Sequence, residues 1–172
     1  KTYKTLHSFG SDEYIVEKST FIGYAKPIKS EEEAVEFINE IKKKHKDATH
    51  NVWAYTVGET MNIQRYSDDG EPQGTAGIPT LEVIKKEDLR DVVVVVTRYF
   101  GGIKLGAGGL VRAYSSTTSE TVKLATIREI IKTIPLTITI NYSYVTELLN
   151  LFKDFEITNQ TYNENVTITF II

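Results

Sequence analysis

Residues 97–114 form a glycine-rich, basic segment with the residue types needed to bind an anion. Five of the chain's eleven glycines fall within nine residues, 101–109. A backbone without Cβ atoms can wrap an anion against the free N–H groups of a helix N-terminus. Arg98, Lys104 and Arg112 supply positive charge, and the segment contains no acidic residue. The pattern predicts an anion-binding site; the alternative is a tight turn or a close helix–strand contact that requires small residues.

Two known phosphate-binding motifs do not match this segment. A P-loop has Lys and then Ser or Thr after its second glycine, where this chain has Ala107 and Gly108. The dinucleotide-binding pattern has a third glycine at the position that Val111 occupies. The prediction is therefore an anion site outside these classes, with the candidate residues Arg98, Tyr99, Gly101, Gly102, Lys104, Gly106, Gly108, Gly109 and Arg112.

A second candidate is a cluster of carboxylates in a turn. Three carboxylates within four residues could hold Mg²⁺ or act as an acid–base pair, as in an enzyme that binds a nucleotide or phosphometabolite. The alternative is a supporting role, in which the turn begins a helix or pairs with Arg65, Arg98 or Arg112 to fix the glycine-rich segment. The residues of this cluster are Arg65, Ser67, Asp68, Asp69, Gly70 and Glu71.

His50 stands at the start of a predicted strand. A hydrolase triad of His50 with Ser67 and Asp68 is disfavoured, because Ser67 lacks the Gly-x-Ser-x-Gly turn that exposes a nucleophile. A histidine that hydrogen-bonds the strand end is the favoured interpretation. His7 and His45 show no ligand-like spacing, so we predict no metal site. Since no complete catalytic set is visible, the sequence favours binding over catalysis and predicts no cofactor, with Mg²⁺ as the alternative.

The composition is that of a globular protein. The 172 residues are 41% hydrophobic and 25% charged with a net charge of −3, which suits one ordinary domain or two small ones. The lack of cysteine excludes disulfides, thiol nucleophiles and cysteine-type zinc sites, and favours a reducing cytoplasm. The longest apolar run, Val92–Val96, is too short to span a membrane, and no basic-then-apolar leader opens the chain. Because Lys1 is not an initiator Met, we expect the start to be trimmed.

The elements that position these residues follow a mixed α/β pattern. Apolar spacing, turn signals and capping residues predict a larger domain over residues 1–133. Its predicted elements are a hairpin of 2–9 with 14–28 about a break at Gly10–Asp12, a helix after Ser30, strands at 51–57 and 63–66, a short helix with Pro79 in its first turn, a central strand at 92–97 and a helix from about Leu110 to about Ala125.

A second, smaller domain is predicted over residues 134–172. Its apolar pattern gives the order β, α, β, β, with the last two strands paired across Asn163–Asn165. A split βαβ module of the ferredoxin kind has one more helix and strand, so we expect residues to be missing at this end. This segment carries the whole net charge of −3. Phosphate binding is therefore expected on the glycine-rich segment, while the tail contacts protein or orients a complex.

Four motifs stand within about residues 18–125. They are Lys18-Ser19-Thr20-Phe21-Ile22-Gly23, His50-x-x-x-Ala54-Tyr55, Arg65-x-Ser67-Asp68-Asp69-Gly70-Glu71-Pro72-x-Gly74-Thr75-Ala76-Gly77-x-Pro79, and Thr97-Arg98-Tyr99-Phe100-Gly101-Gly102-x-Lys104-Leu105-Gly106-x-Gly108-Gly109-Leu110-x-Arg112-Ala113-Tyr114. Together they resemble the YigZ/Impact family. The tail is similar to the small carboxy-terminal domain of bacterial members, which resembles the fifth domain of elongation factor G.

The resemblance implies a fold and a function. The larger domain is expected to have the α/β fold of the second domain of ribosomal small-subunit protein five, and the tail a ferredoxin-like fold. Eukaryotic Impact is a translational regulator, and bacterial members have been proposed to bind nucleic acid or ribosomes. We therefore expect a non-enzymatic binding protein of the translation apparatus that contacts RNA phosphate or a ribosome-associated protein partner. The alternatives are the magnesium-dependent enzyme and a protein that docks on a partner through its tail.

Overall fold

The computed structural model describes residues 2–172 and has a mixed α/β fold, as predicted. Two compact units divide it, one ending at Ile130 and the other spanning Ile131–Ile172. The elements of the larger unit are β1 (Thr2–Leu6), β2 (Gly10–Val16), β3 (Ser19–Pro27), α1 (Glu31–Lys44), β4 (His50–Val57), β5 (Ile63–Ser67), α2 (Gly77–Lys86), β6 (Val92–Tyr99), α3 (Gly106–Leu124) and β7 (Ile127–Ile131).

The larger unit is built on a five-stranded antiparallel sheet with the order β2-β3-β6-β4-β5. The β-branched strand β6 lies at its centre and is buried along almost its whole length, which confirms the predicted central strand. Alternate residues of a strand face opposite sides of a sheet. Val92, Val94 and Val96 pack in the cluster that includes residues of α2 and α3, while Val93 and Val95 pack with α1.

The first helix begins where the sequence predicts it. Ser30 Oγ accepts a hydrogen bond from the Glu33 amide at 3.2 Å, and the Glu33 carboxylate accepts one from the Lys29 amide at 2.9 Å. Each bond satisfies a backbone donor at the start of the helix. The buried face of α1 is the predicted one, comprising Ala34, Phe37, Ile38 and Ile41.

The predicted N-terminal hairpin is wrong in its turn and its partners. The hairpin joins β2 to β3 through Glu17 and Lys18, whose φ angles are 47° and 61°. Strand β1 pairs instead with β7. Gly10 is not part of a turn: a Cβ at this position would overlap the backbone of Ala125, so the glycine permits close packing. Gly10 is therefore required by a tertiary contact and not by a turn.

The helix after the glycine-rich segment starts earlier than the predicted Leu110. It begins at Gly106, so Gly106, Gly108 and Gly109 lie in its first turn and only residues 100–105 form a loop. Gly106 has a φ of 73°, a conformation that glycine adopts readily and other residues rarely do. Three of the predicted loop glycines therefore lie within the helix itself.

The smaller unit is a three-stranded antiparallel sheet covered by one helix. Its elements are β8 (Pro135–Ile140), a 3₁₀ turn (Tyr142–Tyr144), α4 (Val145–Leu151), β9 (Glu156–Tyr162) and β10 (Val166–Ile171). The strand order is β8-β10-β9, and three buried residues of β10 pack against apolar residues of α4. The predicted element order is confirmed. Across residues 2–172, none of the helices combines the length and apolar character that crossing a membrane would require.

Candidate functional site

The register of three strands in the larger sheet positions the residues of the candidate site. Antiparallel pairing places His50 of β4 directly opposite Arg98 of β6, and Phe21 of β3 opposite Arg98 on its other side. Cross-strand neighbours share a face of the sheet. Arg98 also shares its face with Val94 and Val96, so these side chains lie on the side covered by α2 and α3.

Glu71 joins His50 and Arg98 in one buried ionic cluster. Its Oε1 accepts a hydrogen bond from Arg98 Nη1 at 2.6 Å and lies 2.7 Å from His50 Nε2. The side chain of Glu71 is 1% exposed and that of Arg98 is 7% exposed. The predicted pairing of the carboxylate turn with an arginine is confirmed for Arg98. The two predicted motifs therefore meet in space, and Arg98 is a neutralised framework residue.

His50 is fixed at both ring nitrogens. Nδ1 donates a hydrogen bond to the backbone carbonyl of Asp69 at 2.8 Å, while Nε2 faces the Glu71 carboxylate. A carbonyl oxygen only accepts, so Nδ1 carries the ring proton that this bond requires. No Ser67–His50–Asp68 triad forms, since both ring nitrogens of His50 contact other groups. Ser67 Oγ accepts a hydrogen bond from the Asp69 amide at 3.1 Å.

The remaining carboxylates of the turn are occupied by backbone amides. Asp68 accepts hydrogen bonds from the amides of Gly74, Ala76 and Gly77 at 2.8–3.2 Å, which stabilises the start of α2. Asp69 Oδ2 accepts one from the Asn51 amide at 2.7 Å. Among residues 2–172 no group of three His, Asp or Glu side chains is arranged to hold a metal ion. The turn is a structural support for the buried ionic cluster.

Three further residues contact the guanidinium of Arg98, and the sequence alone gave them no role. Its guanidinium lies 5.4 Å from the ring centroids of both Phe21 and Phe100, and Nη2 donates to Ser19 Oγ at 3.3 Å. Such cation–π contacts strengthen when the cation is desolvated. Ser19 and Phe21 stand in the first family motif, but only the strand register reveals that they flank Arg98.

A cavity of about 400 Å³ opens beside the buried ionic cluster, at the entrance to α3; we call it the first cavity. Phe100 lies on it with 47% of its surface exposed, and Lys104 is exposed. Leu105 at the N-cap of α3 offers no side-chain acceptor to the amides of the first turn. The lining residues are Thr49, His50, Glu71, Pro72, Arg98, Phe100, Lys104, Leu105, Gly106, Ala107 and Leu110.

The glycines of the segment differ in what requires them. A Cβ on Gly101 would overlap the backbone of Lys18, so this glycine permits contact with the β2–β3 turn. Gly108 has no such reason: its φ is not positive, and the nearest atom to an added Cβ is Arg112 Nη1 at 3.4 Å. Glycine in a helix costs roughly 0.8–1 kcal/mol relative to alanine. Gly108 therefore exposes backbone without a packing requirement within residues 2–172.

The structure does not bring every predicted site residue to the first cavity. Tyr99 faces the α1 side of the sheet, where its hydroxyl donates to Asp47 at 3.1 Å. This follows from strand alternation, because Tyr99 adjoins the inward-facing Arg98. Arg65 lies exposed on β5 and donates to the Gln64 carbonyl at 3.1 Å. Gly109 and Arg112 line a different cavity, described below.

Tyr114 lies beneath this region with a fully buried side chain. Its ring packs edge-on against Phe21 with centroids 5.2 Å apart, and its hydroxyl has no hydrogen-bond partner within residues 2–172. Burial raises the pKa of the Tyr114 hydroxyl, and the negative charge of Glu71 raises it further. The hydroxyl is therefore neutral and lies within the electrostatic reach of the buried ionic cluster.

Comparison with known proteins places the chain in context. The Impact N-terminal domain family matches residues 17–122. IMPACT family member YvyE of Bacillus subtilis is 56% identical over 119 residues, which are 69% of this chain and 55% of that protein. IMPACT family member YigZ of Escherichia coli is 37% identical over 113 residues, 64% of this chain and 55% of that protein.

A solved structure aligns along the whole chain. It is described only as the crystal structure of an hypothetical protein, and it aligns with a TM-score of 0.73 at 28% sequence identity, covering 100% of this chain and 85% of the other. The chain spans about half the length of the curated relatives it matches.

Proposed function

The chain belongs to the Impact family, and from that premise we propose that it is a non-enzymatic binding protein of the translation apparatus that contacts RNA phosphate at the first cavity. The place in translation rests on the family resemblance. The choice of RNA as the ligand rests on the chemistry of the cavity.

One observation carries the proposal: an exposed aromatic ring, an unpaired cation and an uncapped helix entrance share one cavity. Phe100 offers a stacking surface, and Lys104 has no carboxylate within ion-pair distance in the described part of the chain. Single-stranded nucleic acid is bound by this combination, in which bases stack on rings and cations neutralise the backbone. The amides at the start of α3 suit a phosphate oxygen.

One further feature supports an anion at this position. Gly108 leaves the backbone of the first turn of α3 uncovered, as expected where a phosphate approaches the chain closely. The magnesium-dependent alternative lacks comparable support, because Asp68, Asp69 and Glu71 are each held by protein donors.

Two finer points of fold belong to the same proposal. The antiparallel order β8-β10-β9 with its connecting helix corresponds to the first four elements of a split βαβ module. This supports a ferredoxin-like assignment for residues 134–172, similar to the fifth domain of elongation factor G. For residues 1–133, the likeness to the second domain of ribosomal small-subunit protein five rests on the family resemblance.

The experiment is a titration of labelled hexauridylate by fluorescence anisotropy at several salt concentrations. We expect Lys104→Gln to weaken binding and to reduce the slope of log affinity against log salt by about 0.7, the value for one neutralised phosphate of a single strand. Phe100→Leu should weaken binding without changing that slope, because it removes stacking and leaves the charge.

The matched control is Lys123→Gln, which removes one exposed positive charge from the far end of the same helix. Its affinity and slope should equal those of the unaltered protein. Co-sedimentation of the same three variants with ribosomes tests the translation assignment. Binding of hexauridylate and of ribosomes that is identical in all three variants would overturn the proposal.

A further inference from the structure

A second cavity of about 320 Å³ adjoins the first across the start of α3. Lys104 and Leu105 line both cavities, so the two share a wall at this part of the chain. The remaining residues of the second cavity are Tyr14, Val16, Glu17, Gly109, Arg112, Ala113 and Ser116.

The second cavity repeats the chemistry of the first. Tyr14 is 38% exposed and corresponds to Phe100, while Arg112 is exposed and corresponds to the cation of the first cavity. Arg112 forms no ion pair with any described residue, so its charge is available to a ligand. Glu17 is the one carboxylate lining this cavity, and together with Lys104 and Arg112 it leaves a net charge of +1.

The two exposed rings are connected through the framework of the site. Tyr14 lies 6.4 Å from the Phe21 ring, and the Arg98 guanidinium lies 5.4 Å from both Phe21 and Phe100. This row of contacts links the two exposed rings through Arg98 of the buried ionic cluster. Two linked aromatic rings, each with a cation on the same cavity, suit successive nucleotides of one strand.

We infer that the second cavity is a further nucleotide subsite, and that the ligand of this face is a single-stranded oligoribonucleotide whose backbone crosses the start of α3. This inference rests on the proposed function and specifies the ligand of that function. Two or more nucleotides of one strand bind this face together. Arg112 neutralises the phosphate of the second nucleotide, and Tyr14 stacks on its base. A mononucleotide would occupy the first cavity alone.

The test compares hexauridylate with uridine monophosphate, the latter measured by competition. Arg112→Gln should reduce the salt slope for hexauridylate by about 0.7. Tyr14→Leu, which keeps an apolar side chain beside Phe21, should lower the affinity for hexauridylate at least about fivefold, the equivalent of losing about 1 kcal/mol of stacking. Neither variant should change the affinity for uridine monophosphate, whereas Phe100→Leu should weaken both ligands.

Arg112→Lys serves as the rescue variant and should restore the salt slope, while thermal unfolding checks that each variant folds. If the second-cavity variants bind hexauridylate normally while Phe100→Leu does not, the inference is overturned and the proposed function stands. Equal affinities of the unaltered protein for hexauridylate and uridine monophosphate would also overturn it. If the unaltered protein binds neither ligand, the proposed function itself fails.

Discussion

The buried ionic cluster and the exposed rim of the two cavities, which Lys104 and Arg112 form, use their cations differently. Arg98 is buried and paired with Glu71, whereas Lys104 and Arg112 are exposed and form no ion pair with residues 2–172. The sequence presents all three as members of one basic segment. A basic residue that a strand directs into the core, such as Arg98, stabilises the fold through an ion pair. A basic residue that a loop or helix exposes, such as Lys104 or Arg112, is available to a ligand.

The largest expected effect is a loss of stability when the buried ionic cluster loses its carboxylate. Glu71→Ala leaves the Arg98 charge buried without its partner, and removing one partner of a buried ion pair costs about 3–5 kcal/mol. Urea unfolding should show this loss as a lower transition midpoint. The control is Glu82→Ala, which removes an exposed i,i+3 pair with Lys85 and should cost under about 1 kcal/mol. A loss for Glu71→Ala no larger than that of the control would contradict the framework role.

The next prediction tests the helix entrance with a single methyl group. Gly108→Ala should stabilise the protein by up to about 1 kcal/mol, because alanine is the better helix former and meets no close atom. It should also weaken hexauridylate binding, since the methyl group would stand between the backbone and a phosphate. Ser119→Ala in the same helix should leave binding unchanged. If Gly108→Ala gains stability and keeps full affinity, the ligand does not approach this backbone.

These two predictions show what the sequence could and could not reveal. Ser30 and Glu33 predicted the start of α1 because capping is local, and the valine run predicted the central strand because burial on both faces selects β-branched residues. The pairing of Arg98 depends on strand register and alternation, which single-sequence spacing does not define. Gly10 was wrongly predicted as a turn because its requirement comes from Ala125, which is distant in sequence, and the contact of Gly101 with Lys18 is equally non-local.

A smaller effect concerns the hydroxyl beneath the buried ionic cluster. An unsatisfied buried polar group costs about 1–3 kcal/mol, so Tyr114→Phe should be neutral or stabilising by about 1 kcal/mol in urea unfolding. Its affinity for hexauridylate should not change, because Tyr114 is closed off from both cavities. A clear loss of stability would mean that the hydroxyl has a partner, such as a buried water that also serves Glu71 Oε2 and Arg98 Nε.

The smallest expected effect lies on the opposite face of the sheet. Its centre is His45, whose Nε2 is 2.6 Å from the Tyr24 hydroxyl and whose Nδ1 is 2.7 Å from the Tyr99 hydroxyl. Burial lowers the pKa of His45, and the charge of Lys44 lowers it further, while Asp47 opposes both. The neutral ring fits the hydrogen bonds, accepting from Tyr24 and donating to Tyr99, whose own proton is donated to Asp47.

The sign of the pH effect follows from this lowered pKa. Between the folded-state pKa and the ordinary value of 6.5, the unfolded chain binds more protons, so stability falls as the pH drops below about 6.5. His45→Gln should remove that component from a series of thermal unfolding midpoints measured against pH. RNA affinity should be unaffected, because His45 is remote from both cavities. A midpoint series that falls equally in the variant would rule out His45 as the source.

The most direct test of the contrast between framework and rim is the salt dependence of hexauridylate binding by the Lys104→Gln, Arg112→Gln double variant, with its unfolding free energy measured alongside. We expect the slope of log affinity against log salt to fall by about 1.4, the value for two neutralised phosphates of a single strand. The free energy of unfolding should stay within about 0.5 kcal/mol of that of the unaltered protein. An unchanged slope in the folded double variant would contradict the claim that the exposed rim binds RNA.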